Sequence, residues 1–287
     1  LVPYAGIILN VEAEHLDYYK GGLAEIKETF AAFAAKIDPK GFLILCADSE
    51  NAMEVRDRAA CKILTYSVKC GSADYFAANM QTGADGTSEF DLCRQGEPLI
   101  HIRLKVPGRH NISNAVAAAA ACHAFGCSPE SIQKGLAMFE GANRRFECKG
   151  TVNGACIVDD YAHHPTEIRA ALDTAETIVN GKGKIWSIFQ PHTYSRAKLF
   201  ADDFCKALRG SYKICVSDIY AAREKDPGDI NSKMLADRFR ANGLDAEYMP
   251  DFTEIVSFIR KNASEGDLVI TFGAGDINKV AMELAGK

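Results

Sequence analysis

From residue 155 onward the chain repeats one pattern: a short apolar run, a polar turn, then apolar residues at helical spacing. The runs fall at 155–158, 184–189, 213–217, 246–249 and 267–272. Strands that alternate with helices are joined by crossovers, and crossovers produce a parallel sheet with helices on both faces. The pattern therefore predicts a doubly wound, mostly parallel, Rossmann-like α/β domain. In such a sheet ligands bind beyond the carboxyl ends of the strands, where side chains face a crevice instead of a packed layer.

The residues after four of these runs are unusually polar. The first run ends in Asp159-Asp160-Tyr161-Ala162-His163-His164-Pro165 and the second in Gln190-Pro191-His192-Thr193-Tyr194-Ser195-Arg196. The third ends in Asp218-Ile219-Tyr220 followed by Arg223-Glu224, and the last in Gly273-Ala274-Gly275-Asp276. Loops are polar in general, and Asp, Ser, Thr and Pro cap helices. Two carboxylates and two imidazoles within six positions exceed what a cap requires. The single G-x-G after the last run is also what close packing would select. If the four loops act together, Asp159, His192 and Asp276 must share one edge of one sheet.

The first half reads differently. Residues 6–11 predict a buried strand, Leu23, Ile26, Phe30 and Phe33 a helix, and 42–46 a second strand after the turn at Pro39-Lys40-Gly41. Within 74–105 the alternating runs 89–94 and 99–105 flank Gln95-Gly96-Glu97, which predicts an antiparallel hairpin. An Ala-rich helix over 111–125 follows, then a helix over 128–139 with Ser128 as N-cap and Pro129 at its first position. We expect a central domain over 1–140, a mixed sheet with helices, joined through the glycine-bearing segment 140–145 to the second domain, 141–287.

Two constellations in this half carry chemistry. Gly108-Arg109-His110-Asn111-Ile112-Ser113-Asn114 opens a helix, where amide side chains either read a purine edge or cap the helix. Glu12-Ala13-Glu14-His15-Leu16-Asp17 follows a strand with groups suited either to a divalent cation or to a surface loop.

Composition excludes some partners. A net charge of -5 provides no basic footprint for a nucleic-acid backbone, and the longest apolar run, 115–121, is too short to span a bilayer. The ten cysteines include no C-x-x-C pair, so they read as small hydrophobes in a reducing cytoplasm, and none is assigned a catalytic role. The start at Leu1, close before an apolar strand, reads as a fragment.

Together the motifs resemble the Mur ligase family. The likeness rests on residues 10–17, 108–114, Arg144-Arg145-Phe146, 159–165, 189–196 and 272–277, in order over nearly the whole chain. The resemblance implies a central ATPase domain followed by the Rossmann-like domain. It implies that ATP phosphorylates a substrate carboxylate and an amine displaces the acyl phosphate to give an amide. Tyr161-Ala162 and Phe189-Gln190-Pro191-His192 match best the member that joins L-alanine to UDP-N-acetylmuramate.

By this likeness His15 helps hold Mg2+, His110, Asn111 and Asn114 receive the adenine, Arg145 reaches the ATP phosphates, and Asp159 holds the ribose side. His163, His164, His192 and Arg196 face the muramoyl carboxylate and the alanine. Closure about the joint near Gly141 would assemble the ATP part. One departure is that no G-x-x-x-x-G-K-[ST] occurs, so the chain by itself is expected not to turn over ATP. Other readings stay open: a relative that attaches a recycled peptide, a metal-dependent phosphoesterase built on Asp159, Asp160, His163 and His164, or a non-catalytic nucleotide-binding module.

Overall fold

The computed structural model describes residues 2–14, 16, 18–83 and 86–287. It divides into two compact units, Leu1–Glu140 and Gly141–Lys287.

In the first unit the described residues form one six-stranded sheet in spatial order β1 (Ala5–Ile8), β2 (Phe42–Cys46), β3 (Lys62–Ser67), β4 (Tyr75–Thr82), β5 (Ser88–Arg94) and β6 (Glu97–Leu104). The first four strands are parallel, and β4, β5 and β6 form an antiparallel meander. The predicted hairpin is β5–β6, closed by Gln95 and Gly96 at φ 51° and 90°, the left-handed pair that a tight turn of this twist requires. The mixed sheet expected for this half is therefore present, although β3 and β4 lacked a signal clear enough to be separated.

Residues 6–11 do not form a fully buried strand. The strand is Ala5–Ile8, at the sheet edge, with Ile7 41% and Leu9 45% exposed. An edge strand has no neighbour beyond it, so apolar content alone overstated its burial. Helices α1 (Gly22–Ala34) and α2 (Glu50–Met53) supply the core on one face, with Leu43 and Leu45. Opposite them, α3 (Arg109–Ala124) and α4 (Pro129–Met138) pack on Ile44, Tyr66, Phe90 and Ile102. Small residues let α3 lie close: Ala115, Ala117, Ala119 and Ala120 are all buried. Ser128 caps α4, accepting the Ser131 amide hydrogen bond.

The second unit is the expected doubly wound sheet. Its strands are β7 (Glu147–Val152), β8 (Ala155–Asp160), β9 (Ile185–Phe189), β10 (Lys213–Val216), β11 (Ala246–Tyr248) and β12 (Leu268–Phe272), in spatial order β11-β10-β9-β12-β8-β7. All pairs are parallel except β7–β8. Sequence periodicity missed β7, a half-buried strand interrupted by Gly150.

Alternation along each strand builds two cores. Ile185, Phe189, Leu268, Ile270 and Phe272 face α5 (Pro165–Val179), α6 (Tyr194–Leu199), α7 (Ala201–Ala207) and α8 (Ser232–Ala241). Trp186, Ile188 and Val269 face α9 (Phe252–Asn262) and α10 (Asn278–Leu284). Because β12 lies between β8 and β9, the chain leaves β8 and β9 toward one face and β12 toward the other. A crevice opens where such connections diverge.

Candidate functional site

The carboxyl ends of β8, β9 and β12 are adjacent, so Asp159, His192 and Asp276 lie along one sheet edge as the sequence requires. The chain after β9 runs through Thr193, a β-branched residue at φ 61°, a conformation that persists only when its surroundings impose it. Those surroundings are a bridge between His192 and Tyr220: the Thr193 amide donates to the Tyr220 carbonyl (2.9 Å) and the Tyr220 amide to that of Pro191 (2.8 Å). Thr193 Oγ1 then accepts from the Arg196 amide and starts α6.

Through this bend His192 meets both neighbours. Its ring lies 5.4 Å from that of His163, and it stacks on Tyr220. Burial, and then the charges of His163 and Arg196, hold its pKa below the ordinary histidine value, so the imidazole is neutral near pH 7. Its Nδ1 is buried and has no hydrogen-bond partner among the described residues. Tyr220 itself rests against Gly275, where a Cβ would come within 2.6 Å of the ring. The G-x-G therefore serves close approach here, with Gln190 bonding both Asp276 and the Ile277 amide beneath it.

His163 and His164 lead into α5. Glu167, in the first turn of α5, receives the amides of His163 (3.1 Å) and His164 (3.3 Å) on one oxygen, and its other oxygen lies 3.5 Å from Arg145 Nη1. Burial works against ionisation, yet these amides and the charges of His163 and Arg145 keep the Glu167 pKa below its usual value. Glu167 thus ties the histidine loop to Arg145, a role that sequence reading did not assign. His164 is 9% exposed and packs against Phe200; its Nδ1 accepts the Thr166 amide, while its buried Nε2 has no partner among the described residues. His164 is thus largely a helix cap, set apart from the His163–His192 contact.

The two carboxylates of the loop behave differently. Asp159 is completely buried: one oxygen accepts from Arg144 Nε (3.0 Å), the other from Thr271 Oγ1 (2.7 Å). Arg144 also donates to the carbonyls of Gly275 (3.0 Å) and Gly273 (2.6 Å), so the pair fastens β8 to the loop after β12. A carboxylate so enclosed has no free edge for a sugar hydroxyl, and in this conformation the expected ribose contact of Asp159 is not available. Asp160, beside it, takes the amides of Phe146 and Ala162, and burial pushes its pKa up to about 6. Those bonds hold Arg144 and Phe146 at φ 58° and 47°, and Arg145 between them keeps its side chain half exposed beside Tyr161.

In the first unit, α3 begins after Gly108 at φ 98°, and no side chain caps it. Asn111 donates back to the Pro107 carbonyl (2.7 Å), Asn114 is exposed one turn on, and His110 is partly buried. The Asn residues therefore do not act as N-caps. Arg109 donates to the Val68 carbonyl (2.6 Å), and the 67–70 turn is held by Asp48, which accepts from Ser67 Oγ and the Val68 amide. His15 lies outside the described residues, and among the described residues no group of three His, Cys, Asp or Glu is placed to hold a metal ion. The described carboxylates near it, Glu12 and Glu14, do not by themselves make a cation site. Among the described residues no helix is long and apolar enough to cross a membrane.

The folds and motifs have relatives. A family model described as the Mur ligase middle domain matches residues 1–122, and one described as Mur ligase, glutamate ligase domain matches 144–275. The UDP-N-acetylmuramate–L-alanine ligase of Acetivibrio thermocellus is 46% identical over 278 residues, covering 97% of this chain and 59% of the relative. That of Clostridium perfringens is 44% identical, covering 97% and 60%. The chain thus spans about 60% of the length of these curated relatives. Among solved structures, the UDP-N-acetylmuramate-alanine ligase of Thermotoga maritima superposes with a TM-score of 0.79 at 26% identity, over 100% of this chain and 60% of that one. The Thermotoga maritima MurF ligase in complex with ADP shares the fold, with a TM-score of 0.74 at 16% identity over 99% of this chain and 60% of that one. With both domain models matched in order, the chain belongs to the Mur ligase family.

Proposed function

We propose that this chain is the nucleotide-binding and amino-acid-binding part of an ATP-dependent ligase that joins L-alanine to UDP-N-acetylmuramate in peptidoglycan precursor synthesis. The observation that carries the reading is the convergence of His163, His192 and Arg196 at adjacent strand ends. The names of the relatives supply the substrates. ATP supplies the phosphoryl group that converts the muramoyl carboxylate to an acyl phosphate, which the alanine amine then displaces.

This chain's residues divide the work of that reaction among them. Arg196 holds a carboxylate, since a guanidinium can give it two parallel hydrogen bonds. His192, kept neutral by burial, accepts the proton that the alanine ammonium must lose before it can attack. His163 and Glu167 fix the facing wall, and Arg145, half exposed, is available to the triphosphate. Asp160 is enclosed like Asp159, with one oxygen on the Phe146 amide and the other on the Ala162 amide, so the nucleotide side falls to Arg145 in this reading. On the first unit the uncapped start of α3, with His110, Asn111 and Asn114, is the adenine site in this reading. The described residues do not define the ligands of a Mg2+ ion.

The phosphoesterase alternative is not favoured, since Asp159 and Asp160 are both spent on internal hydrogen bonds. The acyl phosphate is tested with UDP-N-acetylmuramate labelled with 18O in its carboxylate and the full-length protein. One labelled oxygen should appear in the released phosphate, and unlabelled phosphate would refute the mechanism.

A further inference from the structure

Cys148 on β7 and Cys156 on β8 are eight positions apart, which sequence spacing does not join. The hairpin does. Cys148 opposes Val158 and Gly150 opposes Ile157, so Lys149 is an extra residue in β7. Cys156 points to the same face as Val158, diagonal to Cys148, where side chains are ordinarily at the limit of contact. The bulge tightens that diagonal, and the two Sγ atoms lie 3.7 Å apart. β7 is the edge strand; Cys148 is exposed and Cys156 partly covered behind it.

We propose that Cys148 and Cys156 form a two-thiol oxidation site for hydroperoxides, with Cys148 as the attacking sulfur and Cys156 as the resolving one. The Cys148 thiolate attacks one peroxide oxygen: the O–O bond breaks, an S–O bond forms, and the departing hydroxide or alkoxide takes a proton to leave as water or alcohol. The Cys156 sulfur then attacks Cys148 sulfenic acid. The S–O bond breaks, the S–S bond forms, and the hydroxyl leaves with the Cys156 proton as water. Two electrons pass from the thiols to the peroxide.

The electrostatics divide these labours. The hydrogen bond from Cys156 holds the Cys148 thiol down at about 6, against burial and with help from the Lys287 charge, so it is largely thiolate near pH 7. The same bond, together with burial, pushes the Cys156 thiol up and keeps its proton for the second step. A disulfide needs an S–S distance of about 2.05 Å, so the sulfurs must close by roughly 1.7 Å from their present 3.7 Å, within reach of side-chain rotation on an edge bulge. The bridge would staple β7 to β8 just beyond the Arg144-Arg145-Phe146 bend.

Cys70 is the internal comparison: exposed, with its thiol lowered by a hydrogen bond from Ser72, a hydroxyl instead of a thiol. The reduced 287-residue chain is treated with one equivalent of hydrogen peroxide at pH 7, alkylated, digested and analysed by mass spectrometry. The expected result is a linked peptide pair carrying Cys148 and Cys156, lighter by about 2 Da and reversed by dithiothreitol. Cys156→Ser should leave a dimedone-trappable sulfenic acid at Cys148, and Cys148→Ser should abolish the link without altering the melting curve. The proposal is overturned if Cys148 stays alkylatable while Cys70 is consumed, or if Cys148 pairs with a cysteine other than Cys156.

Discussion

The ring of Tyr220 lies within 15° of parallel to that of His192, with centroids 5.8 Å apart, and Gly275 abuts the tyrosine so closely that a methyl group would meet its ring at 2.6 Å. Loops after three different strands are thereby linked, and the orientation of His192 depends on a glycine far from it in sequence. Gly275→Ala must push Tyr220 or Gln190 aside. We expect a loss of about 1–3 kcal/mol in the stability of the second unit, typical of overpacking, and a moved His192 imidazole resonance in the 287-residue chain. Tyr220→Phe keeps the stack and should change neither. An unmoved His192 signal in well-folded Gly275→Ala would remove the link.

Neighbouring arginines should separate cleanly. Arg144 neutralises the enclosed Asp159 and ties two glycine carbonyls, whereas the Arg145 side chain is half exposed. Arg144→Ala leaves a buried carboxylate uncompensated and should cost about 3 kcal/mol in denaturant unfolding. Arg145→Ala should leave unfolding nearly unchanged while reducing ligase activity of the full-length protein. Equal stability losses in the two variants would contradict this division.

Much of the fold is legible in the sequence, and what is not has physical reasons. Strict alternation makes the second sheet readable, because β8, β9, β10 and β12 are almost wholly buried on both faces and their polar loops must emerge at the same end. The β7 strand was not readable: half buried, bulged and broken by Gly150, it has neither a continuous apolar run nor clean alternation. The motif Asp159-Asp160 could be found but not apportioned, since successive residues in a strand face opposite ways and only the partners reveal which is enclosed. Arg144 was invisible as a clamp because its carbonyl partners carry no sequence signature. The thiol pair escaped for a related reason: cross-strand neighbours are set by register, which depends on the bulge.

Asp160 gives a pH signature. Burial raises its pKa from 3.8 to about 6, so the folded state binds this proton more tightly than the unfolded chain. Its contribution to stability is present below the unfolded pKa and is lost as pH rises through about 6, by up to about 3 kcal/mol. Glu147, Glu167, Asp267 and Asp276 are shifted downward and act in the opposite direction, so the comparison must be between variants. Between pH 4 and roughly 7, wild type should lose stability relative to Asp160→Asn. Parallel pH curves would show that Asp160 is not perturbed.

The adenine reading gives a kinetic split. Asn114 is exposed at the start of α3, so Asn114→Ala should fold normally. In the full-length protein the apparent ATP constant should rise about fivefold, the worth of roughly one neutral hydrogen bond, with the alanine constant little changed. An ATP dependence equal to wild type would place the base elsewhere.

The central claim is that these strand-end residues serve amide-bond formation between UDP-N-acetylmuramate and L-alanine. It is tested most directly by ADP release from the full-length protein with ATP, Mg2+ and UDP-N-acetylmuramate, with and without L-alanine, the product identified by mass. ADP release that requires alanine, a product heavier by one alanyl residue, and loss of both in Arg196→Lys with an unchanged fold are the predicted results. ADP release independent of alanine, a product formed only with a peptide, or wild-type turnover in Arg196→Lys would contradict the account.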